Sequence, residues 1–263
     1  MTSRAPLHLP LHSAGPPVWD VTRADGLGLL PATSGRAGGV PAAPAHGAGG
    51  VLVAAGGADL VFVGRSPEPL RAYLGGLLWD VGVPWAGVGP ERVAAERHLD
   101  AGQVRALAAL LAGAGLHPRE LVRRGAGGGW VDVVASGGTF AELHRALREW
   151  AEQDGLGGRC VTRRVRLVGL LRGGTRGPAA HRWNALPELR GVQARSVLTG
   201  AGLWFWLAEN GEKVAPRFPA DAWAQQPDGL PARDPERLAA LAQARTLFLL
   251  GSGDGEREAM TAA

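Results

Sequence analysis

The sequence has no isoleucine, one lysine (Lys213), one cysteine (Cys160) and one tyrosine (Tyr73). A lone cysteine excludes an intramolecular disulfide framework and any zinc site built on a cysteine pair. The 28 basic residues are almost all arginine, and together with the Ala, Gly and Pro excess this bias reads as codon pressure from a GC-rich genome. With so few groups titrating above neutrality, a net charge of only +4 produces a pI of about 10.4, so the high pI is no sign of a nucleic-acid partner. No HExxH pair, Walker A ending or Gly-x-Ser-x-Gly elbow occurs, which disfavours a zinc hydrolase, a P-loop NTPase and a Ser–His–Asp hydrolase. No uncharged apolar run approaches the ~20 residues of a membrane span. The stretch Leu107–Leu116 is too short, and Arg4 is not followed by the apolar core of a secretory signal. The expected location is cytoplasmic, with no membrane partner.

What is present is ordinary for a globular chain: 46% hydrophobic and 20% charged residues. Glycine (41) and proline (19) are abundant, yet they stay short of the roughly 25–30% that marks low-complexity sequence. They concentrate in residues 1–50, which have too few large apolar groups to offset their ordering entropy and read as a mobile arm. Residues 51–263 read as one domain. Its densest basic cluster is Arg159, Arg163, Arg164, Arg166 and Arg172, with Arg123 and Arg124 as a lesser one. A nucleic-acid binder concentrates such residues on one face; the remaining arginines are scattered, which disfavours that partner. An oligomer is compatible with the sequence.

Leu60–Val63 is a short apolar run, and Gly64-Arg65-Ser66-Pro67 follows it. Ser66 suits an N-cap and Pro67 the first helical position. Leu70, Tyr73, Leu74, Leu77 and Leu78 then repeat at helical spacing. Residues 81–90 read as irregular. Asp100 and Gln103 have the spacing of a capping box and open a helix through Val104, Leu107, Leu110 and Leu111. A short helix is expected over 118–124. Trp130–Ala135 reads as an internal strand. The Ser136–Thr139 loop leads into a helix whose Thr139 and Glu142 are spaced as a second capping box, with Leu143, Ala146, Leu147 and Trp150 on its apolar face. Val161–Leu171 reads as a further strand. Repeated strand–loop–helix units predict an α/β fold with a parallel sheet and crossover helices. Leu203–Leu207 and Lys213–Phe218 flank Asn210-Gly211 and predict a C-terminal β-hairpin. Asp234-Pro235 opens a last helix, and Gly251–Gly255 reads as a flexible tail.

Chemistry is expected where a strand delivers small residues into a helix N-terminus. The first amides there lack partners, and the helix dipole adds positive charge. Ser136, Gly137, Gly138 and Thr139 combine two glycines, which admit a phosphate close to the backbone, with two hydroxyl donors. Asp132 lies near the end of the same strand, where open α/β sheets bind ligands. A carboxylate there suits ribose hydroxyls or a bound Mg²⁺.

The stretch Val131-Asp132-Val133-Val134-Ala135-Ser136-Gly137-Gly138-Thr139 resembles the phosphoribosyl-pyrophosphate motif of type I phosphoribosyltransferases. In that family a strand carrying acidic residues runs into a loop that cradles a 5′-phosphate. The resemblance implies that Asp132 meets the ribose hydroxyls and Mg²⁺, and that Ser136–Thr139 hold the phosphate. Gly64, Arg65 and Ser66 look like the family's pyrophosphate loop, with Arg65 neutralising pyrophosphate charge, and the irregular stretch between falls where the family has its mobile catalytic loop. Residues 51–175 carry the likeness, and the C-terminal hairpin would act as a hood. Two positions depart from the pattern: Val131 stands where members usually have a second acid, and Ala135 where some purine-specific members have an aspartate base. The expectation is thus a phosphoribosyltransferase-type sheet that binds a phosphorylated ribose and transfers or cleaves the phosphoribosyl group. The lone acid favours the alternative, a non-catalytic ribose-phosphate or nucleotide sensor.

Other residues read as structural. His144 suits a solvated helix face, and His181 lies among loop residues. Trp204, Phe205 and Trp206 could stack a base from at most one face of a strand; core packing is the expected role.

Overall fold

A computed structural model describes residues 44–77, 85–88, 100–113, 115–124, 128–174, 182–210, 213 and 235–261. Five strands form one all-parallel sheet: β1 (Asp59–Val63), β2 (Trp85–Val88), β3 (Gly128–Val133), β4 (Val165–Arg172) and β5 (Gln193–Thr199). Their spatial order is β2-β1-β3-β4-β5. The chain therefore leaves β1 toward one edge to make β2, returns across β1 to make β3, and continues toward the other edge. The reversal point lies between β1 and β3.

Helices cover both faces, which explains why the inner strands read as near-continuous apolar runs. On one face, Leu60, Phe62, Val131, Val168 and Leu170 meet α1 (Pro44–Ala55), α2 (Glu68–Leu77), α7 (Ala201–Phe205) and α8 (Pro235–Gly251). On the other, Val61, Val63, Trp130, Val134, Leu167 and Leu171 meet α3 (Ala101–Gly113), α4 (Pro118–Arg124), α5 (Gly138–Gln153) and α6 (Gly158–Thr162). A last helix, α9 (Asp254–Thr261), follows α8. Thus α/β class, parallel sheet and crossover helices are all observed.

Local signals place several helix ends well. The box at the start of α3 is complete: Asp100 Oδ1 accepts from the amides of Gly102 (2.7 Å) and Gln103 (2.8 Å), and Gln103 Oε1 accepts from the Asp100 amide (3.0 Å). The expected box at Thr139 and Glu142 does not form. Gly137, in a left-handed conformation, precedes α5 without any side-chain cap, and Glu142 pairs with Arg145 at 2.7 Å instead.

Other expectations are corrected by packing. Helix α1 begins at Pro44, inside the segment assigned to the arm, and buries Ala48 and Val51 against β5 and α2. The residues before it lie outside the described set. Trp85–Val88, read as irregular, is a strand, and the first part of Val161–Leu171 belongs to α6. Leu203–Leu207 is helical rather than the first arm of a hairpin: α7 runs into a π-helical turn, Trp206–Asn210. Leu203, Trp206 and Leu207 are buried while Phe205 stays 40% exposed, a helical spacing that a strand could not satisfy. Of the second arm, Lys213–Phe218, only Lys213 lies within the described residues. Gly251, expected in a tail, is buried where α8 crosses α2.

Candidate functional site

The loops singled out by their small residues end adjacent strands. Val63 leads into Gly64 (φ 74°), Arg65 and Ser66, and β3 leads through Val134 and Ala135 into Ser136, Gly137 (φ 87°) and Gly138. Both turn through a left-handed glycine, a backbone state that side chains rarely adopt. Because β1 pairs with β3, the two loops stand side by side at the reversal point, on the carboxyl edge where open α/β sheets take ligands. The sequence distance between them is long; the sheet order removes it.

Each loop opens a helix. Glu68 begins α2, and its amide donates to the Arg65 carbonyl at 3.0 Å. In the second loop the Gly138 amide reaches Ser136 Oγ at 3.4 Å, at the outer limit of hydrogen bonding. The Ala141 amide closes the first full helical bond on the Gly137 carbonyl at 3.0 Å. With Ser136 exposed and Gly138 and Thr139 half-buried, amides at the start of this 16-residue helix face the rim with little internal use.

Asp132 sits elsewhere than the motif implies. It lies on the same side of β3 as Trp130 and Val134 and so belongs to the face covered by α5, where it is only 8% exposed. Its neighbour in the next strand is Gly169, and the Trp183 indole fills the space that a side chain there would take: a Cβ on Gly169 would come within 2.8 Å of Cζ2. The indole Nε1 donates to Ser196 Oγ at 3.0 Å, and its ring lies 5.4 Å from Phe140. Asp132 Oδ1 accepts from the Val133 amide at 2.7 Å. Burial drives the carboxyl well above its usual range, and that one hydrogen bond offsets the shift only in part. An enclosed carboxyl whose burial disfavours the charged form does not fit a divalent cation, which requires ionised oxygen ligands. Among the described residues, no group of three His, Cys, Asp or Glu side chains gathers where it could hold a metal ion.

This burial has a measurable consequence. The folded state holds the Asp132 proton more tightly than the unfolded chain. Its contribution to stability is therefore complete below the ordinary value of 3.8 and is lost as pH rises through the raised folded-state value. Asp132→Asn keeps an acceptor for Val133 and cannot ionise. It is expected to unfold at higher urea than the parent at pH 7, with the two curves converging near pH 3. A loss of stability at pH 7 would show that the carboxylate is needed in its charged form.

Trp183 also covers the second loop. A Cβ on Gly137 would lie 2.7 Å from the Trp183 carbonyl, so the loop packs against that turn on its inner side while Ser136 remains open outward. His144, expected on a solvated face, is 1% exposed. Its Nδ1 lies 2.7 Å from the Glu188 carbonyl and its Nε2 3.1 Å from the Thr162 hydroxyl. Burial lowers its pKa, so a neutral ring ties α5 to α6 and to the turn at Pro187–Leu189. His181 lies outside the described residues.

The arginine cluster is divided by the fold. Arg166 donates to the Ala55 carbonyl and closes α1, whereas Arg172 lies at the other end of β4 with its guanidinium 5.2 Å from the Phe205 ring centroid. Six residue steps along the strand separate them by roughly 20 Å. Sequence reasoning also missed Lys213. Its pKa is lowered to about 8, first by burial, with Glu68 raising and Arg65 lowering it further. Its Nζ donates to the Leu207 carbonyl at 2.9 Å. A single lysine retained in an arginine-rich chain was the available signal. A cavity of about 470 Å³ lies away from this edge, between α3 and α5, lined by Val104, Arg105, Arg145, Glu149 and Trp150 among others.

No helix among the described residues is long and apolar enough to cross a membrane. No protein-family model, curated protein or solved structure matches the chain.

Proposed function

We propose that the protein binds a phosphorylated ribose at the carboxyl edge of its sheet, between the loops Gly64–Ser66 and Ser136–Thr139. The observation that carries this reading is the adjacency of two glycine-turned loops at the one point where the connections of the sheet reverse. A small anionic sugar could touch both loops at once. The amides of α5, with the hydroxyls of Ser136 and Thr139, take its phosphate, and Arg65 supplies charge from the neighbouring loop. Asp132 acts beneath the loop rather than on the sugar.

Binding without turnover is favoured over transfer by the burial of Asp132 on the face covered by α5, which withdraws its carboxyl from the rim. Transfer or cleavage at the phosphoribosyl group is the second reading, and the pairing of a phosphate loop with a cationic loop favours it. Such a transferase takes Mg²⁺ with its pyrophosphate; in this chain the ion would have to arrive with the ligand and not through Asp132.

Thermal unfolding with ribose 5-phosphate, phosphoribosyl pyrophosphate and unphosphorylated ribose tests this. At 100 times its dissociation constant a ligand stabilises the native state by about 2.7 kcal/mol. For a domain of this size that is a rise of roughly 5–10 °C. Both phosphorylated compounds are expected to produce the rise, and ribose none. Gly137→Val should remove it. Equal silence from all three compounds would end the proposal, and pyrophosphate release with any acceptor would move the assignment to a transferase.

A further inference from the structure

The cavity of about 470 Å³ between α3 and α5 has the size of a small-molecule site, for which the range is roughly 300–1,000 Å³. Its apolar wall comes from both helices. Val104 and Trp150 each press one side on the core and leave the rest to the cavity. Ala101 and Ala108 keep open the space that longer side chains would fill. The indole is fixed before any ligand arrives: the His117 ring meets it edge-on at 4.4 Å, and His117 Nε2 lies 3.6 Å from the Asp154 carboxylate. A rigid aromatic wall takes a planar apolar body with little loss of side-chain freedom.

The charged lining is divided. Arg145 is held between Glu142 (2.7 Å) and Glu149 (2.6 Å), so these three groups answer one another. Asp100, at the start of α3, spends Oδ1 on the amides of Gly102 and Gln103. Arg105 is exposed, and among the described residues no carboxylate pairs with it. An unengaged guanidinium matches a carboxylate with two parallel hydrogen bonds. The carboxylates of Asp100, Glu142 and Glu149 repel a dianion, so a monoanion is the species that this one cation suits.

We propose that this cavity is a second ligand site, which takes a small planar aromatic monocarboxylate with its ring on Trp150 and its carboxylate on Arg105. The site uses neither loop of the sheet edge, so it stands apart from the ribose-phosphate reading and does not depend on it.

Calorimetric titration with 2-naphthoate tests the site, with 2-naphthalenemethanol and 2-naphthylmethylamine as neutral and cationic analogues of the same ring. 2-Naphthoate is expected to bind at one site, the alcohol about tenfold more weakly, and the amine no tighter than the alcohol. Arg105→Gln should weaken 2-naphthoate by about tenfold, the scale of one hydrogen bond to a charged group, and leave the alcohol within about twofold. Ala108→Leu keeps a good helix former and fills the cavity, so binding of the acid should be lost. Urea unfolding checks that this variant is folded; if it is not, Arg105→Gln and the analogues still decide. Absence of 2-naphthoate binding, equal affinity for the alcohol, tighter binding of the amine, or undiminished affinity in Arg105→Gln or in folded Ala108→Leu would each overturn the proposal. Displacement of 2-naphthoate by ribose 5-phosphate would place the probe at the sheet edge and overturn it as well.

Discussion

Gly76→Ala is expected to destabilise the protein at or beyond the upper end of the roughly 1–3 kcal/mol usual for overpacking. At Gly76 a Cβ would overlap the Phe248 carbonyl, and at Gly251 it would overlap the Tyr73 carbonyl. Helices α2 and α8 thus approach backbone to backbone through a reciprocal pair of glycines. A flexible side chain could move aside, but a carbonyl held in a helix cannot, so the whole helix must shift. That shift would disturb buried Leu74, Leu77 and Leu247 and the hydrogen bond from Tyr73 to the Glu256 carboxylate. Since domains are stable by only about 5–15 kcal/mol, the loss should be plain in a urea titration. Gly251→Ala should cost a similar amount. The double variant should cost less than the sum, because one displacement of α8 relieves both overlaps. Additive losses would mean that the two sites strain the fold independently.

The second large effect is expected from Trp183→Ala, at about 3–5 kcal/mol for a buried tryptophan. Trp183 is 2% exposed and fills the space over Gly169, with its rim against Val134 and Phe140. Its removal would leave a cavity beside Asp132 and release the inner support of Gly137. Ribose 5-phosphate affinity should therefore fall together with stability. Trp183→Phe should recover most of the packing and lose the 3.0 Å bond to Ser196. If Trp183→Ala stayed near parental stability in urea, the indole would not be holding the α5 face of the sheet together. If stability fell but affinity did not, the support of Gly137 would be excluded.

The two readings of function diverge at Asp132. As a motif residue, it suggests a ribose or metal ligand; as a side chain in the folded protein, it is a buried acid on the face that the Trp183 indole covers. A rise in stability of Asp132→Asn at pH 7, with ribose 5-phosphate binding retained, would fit a phosphate-binding loop that keeps an acid only beneath it.

Strands β1 and β3 were legible, at Leu60–Val63 and Trp130–Ala135, because their apolar residues are nearly contiguous and bounded by glycine or small residues, and α3 because Asp100 and Gln103 satisfy its end locally. The small-residue loops were legible for the same reason: a left-handed turn at Gly64 or Gly137 is a local demand of the backbone. Helix α7 was not, since Leu-Trp-Phe-Trp-Leu has strand-like composition and only the docking of α7 on β4, and of the π-helical turn after it on α2, selects helical spacing. Nor was the burial of His144, whose partners come from two other elements. Local chemistry thus determined the class of fold and the two loops. Tertiary structure alone decided that these loops are neighbours and that Asp132 is withdrawn from the rim. Each of those facts depends on strand order and packing between residues far apart in sequence, which no local pattern encodes.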